Sequence, residues 1–224
     1  MYEKIFDKKK QEAMREFFLR DLAPLGKERI LKKNEILNVV ENKSVGIVTE
    51  GKLKQILHHS KGEEKLMFFL SPGEICGEGE YFVGGGMPVM IKACCDSKVT
   101  VIEKKLLDDF LEDNPRGYGF FIHSLTRKYR ISISKMHDIL FTSSKEKVCN
   151  TLYRLSVQEG IETSNGIIID IKLTHQELAT LVGASRITIT RIIKELKEEK
   201  IIDNTQDKRF IIKDLVKLKS YLEY

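Results

Sequence analysis

Three features are missing from this chain of 224 residues, and each absence excludes a class of protein. No apolar run approaches the roughly 20 residues that a membrane-spanning helix needs. The first residues, MYEKIFDKKKQEAMREFF, are too highly charged for a secretory signal peptide. Cysteine occurs only at positions 76, 94, 95 and 149, without a C-x-x-C pair. The sequence therefore predicts a cytoplasmic protein with reduced thiols and no membrane partner.

The residues that are present are typical of a globular protein. Apolar residues make up 42% of the chain and charged residues 32%, and the length suffices for two modest domains with separate cores. The net charge of +5 and the pI near 8.9 permit an anionic partner without requiring one. Basic and acidic residues are nearly balanced in residues 144–224. A surface for an anion would therefore depend on where the charges are placed.

Short β-strands are predicted between about residues 28 and 103. The turn sequences NKS, SKGEE, SPGE and VGGG separate short stretches of mainly apolar residues. These stretches are EILNVV, VGIVTEG, KLKQIL, EKLMFFL, MPVMIKACC and KVTVIEK. Strands this short and this closely spaced favour an antiparallel barrel or sandwich.

A long helix is predicted from Pro115, which suits a first helical turn, to about residue 141. One face carries a heptad seam of Tyr118, Ile122, Leu125, Tyr129, Ser132, Met136 and Ile139. The seam fits a helix packed on its own domain. It also fits a helix shared by two copies of the chain, which we favour because the helix is unusually long. The polar stretch TSSKEK at 142–147 predicts a hinge.

Residues 173–203, LTHQELATLVGASRITITRIIKELKEEKIID, fit two helices joined by a sharp turn. Thr174 and Glu177 predict a capping box, Gly183 a left-handed turn and Ser185 the second cap. One side of the second helix is apolar, and the other presents Arg186, Ile187, Thr190, Arg191 and Lys194. Such a face either reads DNA or is a solvated exterior. KIIDNTQDKRFII then predicts a two-stranded wing.

This segment resembles the winged helix–turn–helix of the CRP/FNR superfamily of bacterial transcription regulators, most specifically along ELATLVGASRITITRIIKELKEEKII. Upstream, IVTEGKLK resembles the strand–Gly–strand signature of that family, and SPGEICGEGEYF resembles the Pro-Gly-Glu-x-x-Gly-Glu turn of its β-roll. The resemblance covers about residues 20 to 213 and implies an α+β fold. It implies a β-roll sensor domain at 1–114, a dimerisation helix and hinge at 115–143, and a DNA-binding domain at 144–224.

The resemblance also implies a homodimer on an inverted-repeat operator in double-stranded DNA, with RNA polymerase as a further partner. By position, the base-reading residues would be Arg186, Ile187, Thr190 and Arg191. The phosphate-contacting residues would be His175, Gln176, Ser185 and Lys194. Many relatives carry glutamate where Ile187 stands, and isoleucine suits a thymine methyl group instead of a cytosine amino group. The operator should therefore differ from those of the best-known relatives.

The sensor half lacks a residue on which cyclic-AMP-binding relatives depend. Those relatives hold the cyclic phosphate with an Arg-Ser pair, where this chain has Met87, Pro88 and Val89, and no arginine lies between Arg29 and Arg116. A buried phosphate without a charged partner is costly, and strand alternation leaves open which way Lys92 faces. We expect an effector other than cyclic AMP, or a constitutive regulator with none. The candidate effector pocket is Gly77, Glu78, Met87, Pro88, Val89, Tyr129 and Ser132.

Metal and redox cofactors have little support in the sequence. Adjacent residues of a strand point to opposite faces, so Cys94 and Cys95 are interpreted as buried structural thiols. Iron–sulfur members of the family use an amino-terminal cysteine cluster, and the histidine pair at 58 and 59 has no partner at ligand spacing. Haem, iron–sulfur and zinc sites are therefore not expected. The same shortage of ligands argues against an enzyme on a cupin-like roll. The DNA-reading helix argues against a cyclic-nucleotide-binding module with another output.

Overall fold

A computed structural model describes residues 7–38, 43–60 and 62–222, which form two compact units, 7–130 and 131–222. The long helix is divided between them. No described helix combines the length and the apolar character needed to cross a membrane.

Eight strands among the described residues of the first unit form two antiparallel sheets of four strands. The strands are β1 (Lys27–Leu31), β2 (Ile36–Leu37), β3 (Val45–Glu50), β4 (Leu53–His58), β5 (Glu64–Leu70), β6 (Ile75–Cys76), β7 (Val89–Ala93) and β8 (Ser97–Ile102). The strand orders are β1-β8-β3-β6 and β2-β7-β4-β5, and every described pairing is antiparallel. These two sheets are called the roll below. The predicted antiparallel fold is therefore confirmed. Strands β1 and β6 were not predicted, and residues 39 and 40 of the stretch EILNVV lie outside the described residues.

Four α-helices of the described residues complete the first unit. They are α1 (Lys8–Phe17), α2 (Glu78–Val83), α3 (Lys104–Asp113) and the first part of α4 (Gly117–Phe141). Helix α1, which was not predicted, begins where Asp7 accepts a hydrogen bond from the Lys10 backbone N–H at 3.1 Å. A π-helical turn, Phe18–Leu22, extends it. Phe18 packs edge-on against Phe121 of α4, with ring centroids 5.1 Å apart, so the core joins α1, the roll and α4.

The second unit contains the end of α4 and a helical domain with one sheet. Its elements are α5 (Ser144–Glu159), β9 (Gly160–Thr163), β10 (Gly166–Ile169), α6 (His175–Val182), α7 (Arg186–Glu198), β11 (Ile202–Asn204), β12 (Phe210–Ile212) and α8 (Leu215–Lys219). The sheet order is β11-β12-β10-β9, so the predicted wing, β11 and β12, extends a larger sheet. At the predicted hinge, Ser143 and Glu146 form a capping box that starts α5.

Candidate DNA-reading surface and sensor site

The turn between α6 and α7 is built as the sequence predicts. Thr174 and Glu177 form a capping box at the start of α6. Gly183 follows α6 with φ of +72°, a conformation that costs little only for glycine. The Ser185 hydroxyl then accepts a hydrogen bond from the Thr188 N–H at 3.0 Å and so starts α7. Two caps and one left-handed residue therefore fix the angle at which α7 leaves the turn.

Helix α7 divides into a buried and an exposed face. Its buried residues are Ile189, Ile192, Ile193 and Leu196. Its exposed residues include the four predicted base readers, Arg186, Ile187, Thr190 and Arg191, together with Lys194. Ile187 is 83% exposed, an unfavourable setting for a large apolar side chain in the free protein. A single exposed apolar residue is common on protein surfaces, so the case for a binding surface depends on the recognition residues around Ile187.

Acidic neighbours accompany the cationic residues of this face. The Nε of Arg191 lies 3.9 Å from Glu195, and the Nζ of Lys194 lies 3.7 Å from Glu198. Three of these side chains are largely exposed and that of Glu195 is 41% exposed, so each pair contributes only about 0.3–0.5 kcal/mol. Both cations are therefore available for a stronger anionic partner.

Thr190 makes a contact between helices that the sequence did not predict. Its hydroxyl lies 3.0 Å from the Arg186 carbonyl oxygen, within α7, and 3.0 Å from Nδ1 of His175, on α6. The Thr190 hydroxyl therefore connects Thr190, a predicted base reader, with His175, a predicted phosphate contact. The two residues are 15 positions apart, and only the angle between the two helices brings them together. Of the other predicted phosphate contacts, Gln176 is exposed, and Ser185 is exposed while it caps α7.

The heptad seam of α4 is exposed in the single chain. Tyr118, Ile122, Leu125, Tyr129, Met136 and Ile139 are large apolar residues with exposed side chains, and Ile122 is 62% exposed. Ile133, Leu140 and Phe141 are also exposed, so the apolar surface is wider toward the end of the helix. Six apolar side chains in solvent are costly unless another surface covers them.

The turn sequence SPGEICGEGE contributes a buried polar network to the first unit. Glu74 accepts hydrogen bonds from Gln11 and Arg15 of α1, at 2.9 and 3.3 Å, and from the Ser71 N–H at 2.9 Å. Arg127 of α4 lies 2.7 Å from the same carboxylate. Burial raises the pKa of Glu74, but Arg127, Arg15 and the Ser71 hydrogen bond outweigh it and lower the pKa below its usual value. Glu74 thus ties α1 and α4 to the roll.

The second glutamate of the turn, Glu78, is also paired within the chain. It is the first residue of α2, is 3% exposed and forms an ion pair with Lys128 of α4. Lys128 also donates a hydrogen bond to the Ile75 carbonyl oxygen at 2.8 Å. Glu78 was predicted to line an effector pocket. In the structure, any ligand that approaches it has to share this carboxylate with Lys128.

The other predicted pocket residues differ in accessibility. Met87 and Pro88 are exposed, Val89 is half-buried at the start of β7, and Tyr129 is exposed. Gly77 precedes α2 with φ of +86°, and Ser132 belongs to the second unit. These positions do not by themselves define a cavity.

Strand β7 settles which way Lys92 faces. Its neighbours Ile91 and Ala93 are buried in the roll, so Lys92 lies on the opposite face, with its Nζ 4.0 Å from Glu64. The Lys92 side chain therefore does not point into the roll. A further acid is buried instead: Glu80 of α2 is 4% exposed, and its Oε1 has no hydrogen-bond partner among the described residues.

The cysteine prediction is wrong for two residues. Cys94 is only partly buried and Cys95 is exposed, because both lie in a bend after β7 and not on the strand itself. Cys76 and Cys149 are buried, and burial raises the pKa of each thiol to about 12. Both therefore remain protonated at neutral pH. Among the described residues, no group of three or more His, Cys, Asp or Glu side chains could hold a metal ion.

Comparisons with known proteins agree with this architecture. A cyclic nucleotide-binding domain model matches residues 28–114, and a Crp-like helix-turn-helix domain model matches residues 146–221. An anaerobic regulatory protein of Bacillus subtilis is 29% identical over 168 residues, which are 75% of this chain and 68% of that protein.

Two other relatives extend the comparison. The cAMP-activated global transcriptional regulator CRP of Salmonella typhimurium is 25% identical over 157 residues, 69% of this chain and 74% of its own. The structure of a CooA mutant from Carboxydothermus hydrogenoformans has a TM-score of 0.78 at 18% identity and covers 92% of this chain and 94% of that one. The two domain models, in this order and joined by the long helix, identify the chain as a DNA-binding transcription regulator of the CRP/FNR superfamily.

Proposed function

We propose that the protein acts as a homodimer that binds an inverted-repeat operator and reads it with the exposed face of α7. The observation that carries the proposal is the difference in burial between the two faces of α7. Its apolar side chains are buried in the core, and its amino-terminal recognition residues are exposed to solvent. In helix–turn–helix proteins the second helix enters the major groove, and its first residues contact base edges.

The proposed readers differ in what they can recognise. Arg186 and Arg191 suit guanine, whose O6 and N7 accept the two parallel hydrogen bonds of a guanidinium group. Ile187 offers no hydrogen bond and suits the methyl group of thymine. His175, Gln176, Ser185 and Lys194 would contact phosphates and set the register without reading sequence. Thr190 can contribute its methyl group, because its hydroxyl is already bonded within the domain.

Dimerisation through α4 would cover the exposed seam and pair two reading helices by a twofold axis. Such a pair fits half-sites whose centres are about 34 Å apart, one turn of DNA. The central residues Leu125 and Met136 are therefore positions where an introduced charge should weaken dimerisation and operator binding together. Contact with RNA polymerase is proposed from membership of the family.

The test is repeated selection of randomised 40-base-pair duplexes by the full-length chain, followed by sequencing. The expected product is an inverted repeat with thymine opposite Ile187 in each half-site. A matched selection with Arg191→Ala should keep the symmetry and relax one base pair in each half-site. Enrichment of an asymmetric single site, or none at all, would contradict the proposed dimeric function.

We also propose that the effector, where one acts, is not cyclic AMP. Of the two buried carboxylates in the region, Glu78 is paired with Lys128, whereas Oε1 of Glu80 has no hydrogen-bond partner among the described residues. Lys92 faces away from the roll interior, and the sequence has no arginine between Arg29 and Arg116. This arrangement suits a neutral or cationic ligand better than a phosphodiester. Calorimetry should detect no binding of cyclic AMP at micromolar concentration, and a micromolar dissociation constant would overturn this part of the proposal.

The ion pair between Glu78 and Lys128 favours a second candidate, an effector-independent regulator, because the acid that would meet a ligand already has a partner. The two candidates are separated by native mass spectrometry of protein purified without denaturation, combined with DNA binding before and after unfolding and refolding in ligand-free buffer. A retained small molecule and a loss of DNA affinity on refolding support an effector. Unchanged affinity and a bare polypeptide mass support the constitutive regulator.

A further inference from the structure

The hydroxyl of Thr190 has two hydrogen-bond partners but only one proton to donate. In an α-helix a threonine hydroxyl commonly donates to the carbonyl four residues earlier, and Thr190 lies 3.0 Å from the Arg186 carbonyl oxygen. With its proton on that carbonyl, the Thr190 oxygen can only accept from the second partner, Nδ1 of His175, 3.0 Å away. The proton of the neutral imidazole is then on Nδ1.

We propose that Thr190 is a positioning residue that fixes the Nδ1–H tautomer of His175, so that DNA binding is coupled to the uptake of a proton on Nε2. The proposal rests on the proposed function, in which His175 contacts a phosphate. A neutral imidazole with its proton on Nδ1 presents a lone pair at Nε2, and a lone pair repels a phosphate oxygen. A favourable contact requires the second proton, which turns Nε2 into a charged donor.

The surroundings of His175 disfavour protonation of its Nε2 in the free protein. Burial lowers the pKa of His175, and the charges of Lys197 and Arg186 lower it further. These charged groups both lie on α7, the helix packed against α6, and both are cationic. A DNA phosphate would bring an anion to the imidazole and raise its pKa in the complex. The complex then holds more protons than the free components, so affinity falls as pH rises between the lowered free value and the raised bound value.

The experiment measures the affinity of the full-length chain for a fixed 30-base-pair duplex of arbitrary sequence by fluorescence anisotropy between pH 5.5 and 8.5 at constant ionic strength. An arbitrary duplex suffices because phosphate contacts carry no sequence information. For the native chain, affinity should fall by up to tenfold per pH unit for each bound subunit, since one pKa unit corresponds to a factor of ten. His175→Gln should remove this part of the pH dependence.

Three further variants separate the tautomer from other effects. Thr190→Val keeps the shape of the side chain and removes its hydroxyl, so the imidazole can present Nε2–H while neutral and the slope should fall toward that of His175→Gln. Thr190→Ser keeps the hydroxyl and should keep the native slope. Gln176→Ala removes a neighbouring phosphate contact that does not titrate, and it should lower affinity at every pH without changing the slope.

Nitrogen-15 NMR of the His175 ring gives an independent readout, because protonated and unprotonated ring nitrogens differ in chemical shift. The expected result is a protonated Nδ1 in the native chain and a change of tautomer in Thr190→Val. A native slope in His175→Gln, or a protonated Nε2 in the neutral native chain, would overturn the inference while the proposed function stands. Failure of every variant, including the native chain, to bind the duplex at any pH would overturn the proposed function as well.

Discussion

Replacing Ile122 with glutamate should weaken the proposed dimer without disturbing the fold of the subunit. Ile122 lies in the middle of the first half of the seam and is 62% exposed in the single chain. Complete burial of an isoleucine side chain is worth about 1.5–3 kcal/mol. If α4 pairs with its copy along the seam, burial of the exposed part contributes about 1–2 kcal/mol for each Ile122, and a dimer contains two.

Loss of both contributions should raise the dissociation constant of the dimer by roughly 30- to 1,000-fold, taking about 1.4 kcal/mol as a factor of ten. The cost of desolvating the new carboxylate adds to this range. Sedimentation equilibrium from nanomolar to micromolar concentration measures the constant directly.

Ile30→Glu is a matched control, because Ile30 is 64% exposed on β1 and undergoes the same chemical change outside the seam. It should leave the dissociation constant within a few-fold of the native value. Equal dimer strength in the native chain, Ile122→Glu and Ile30→Glu would show that the seam is not the interface.

Other substitutions test the network of the first unit and the reading helix. Glu74→Gln should destabilise the first unit by about 3–5 kcal/mol in urea unfolding at pH 7, because it leaves the buried Arg127 without its carboxylate. Because the pKa of Glu74 is lowered, its contribution to the free energy of unfolding is complete above about pH 4.5 and is lost as pH falls through the lowered value. The stabilities of the native chain and the variant should therefore converge in acid. A difference in stability that stays constant with pH would contradict this linkage. Arg191→Ala should cost about 1–3 kcal/mol at the selected operator, whereas Lys194→Ala should weaken all duplexes alike and reduce the salt dependence by roughly one counterion, both in anisotropy titrations. Ile187→Glu should move the preferred base from thymine toward cytosine in selections on randomised half-sites, and an unchanged preference would mean that Ile187 does not face the groove.

The helix–turn–helix of α6 and α7 could be predicted from sequence because the residues that specify it are close together in the chain. The capping box of Thr174, the left-handed Gly183 and the cap of Ser185 lie within twelve residues, and each specifies a backbone conformation by itself. The 3.6-residue period likewise separates the buried and exposed faces of α7.

The connections that depend on distant residues could not be predicted in the same way. The contact of His175 with Thr190 depends on how α6 packs on α7, and the partners of Glu74 come from α1, a turn and α4. Cys94 and Cys95 were misplaced because the end of β7 was set two residues too late, and a strand boundary carries little local signal. Short strands such as β6, with two residues, have no period to detect.

Two of the three glutamates of the SPGEICGEGE turn have a bearing on how such sequences are classified. Glu74 is bonded to α1 and α4, and Glu78 is paired with Lys128, so both acids are satisfied by the polypeptide alone. The turn therefore has a role in folding that does not depend on a bound nucleotide. Similarity to a nucleotide-binding domain over this turn therefore does not by itself identify a ligand. The chemical identity of a signal has to be sought in other residues, such as the exposed Met87 and Pro88.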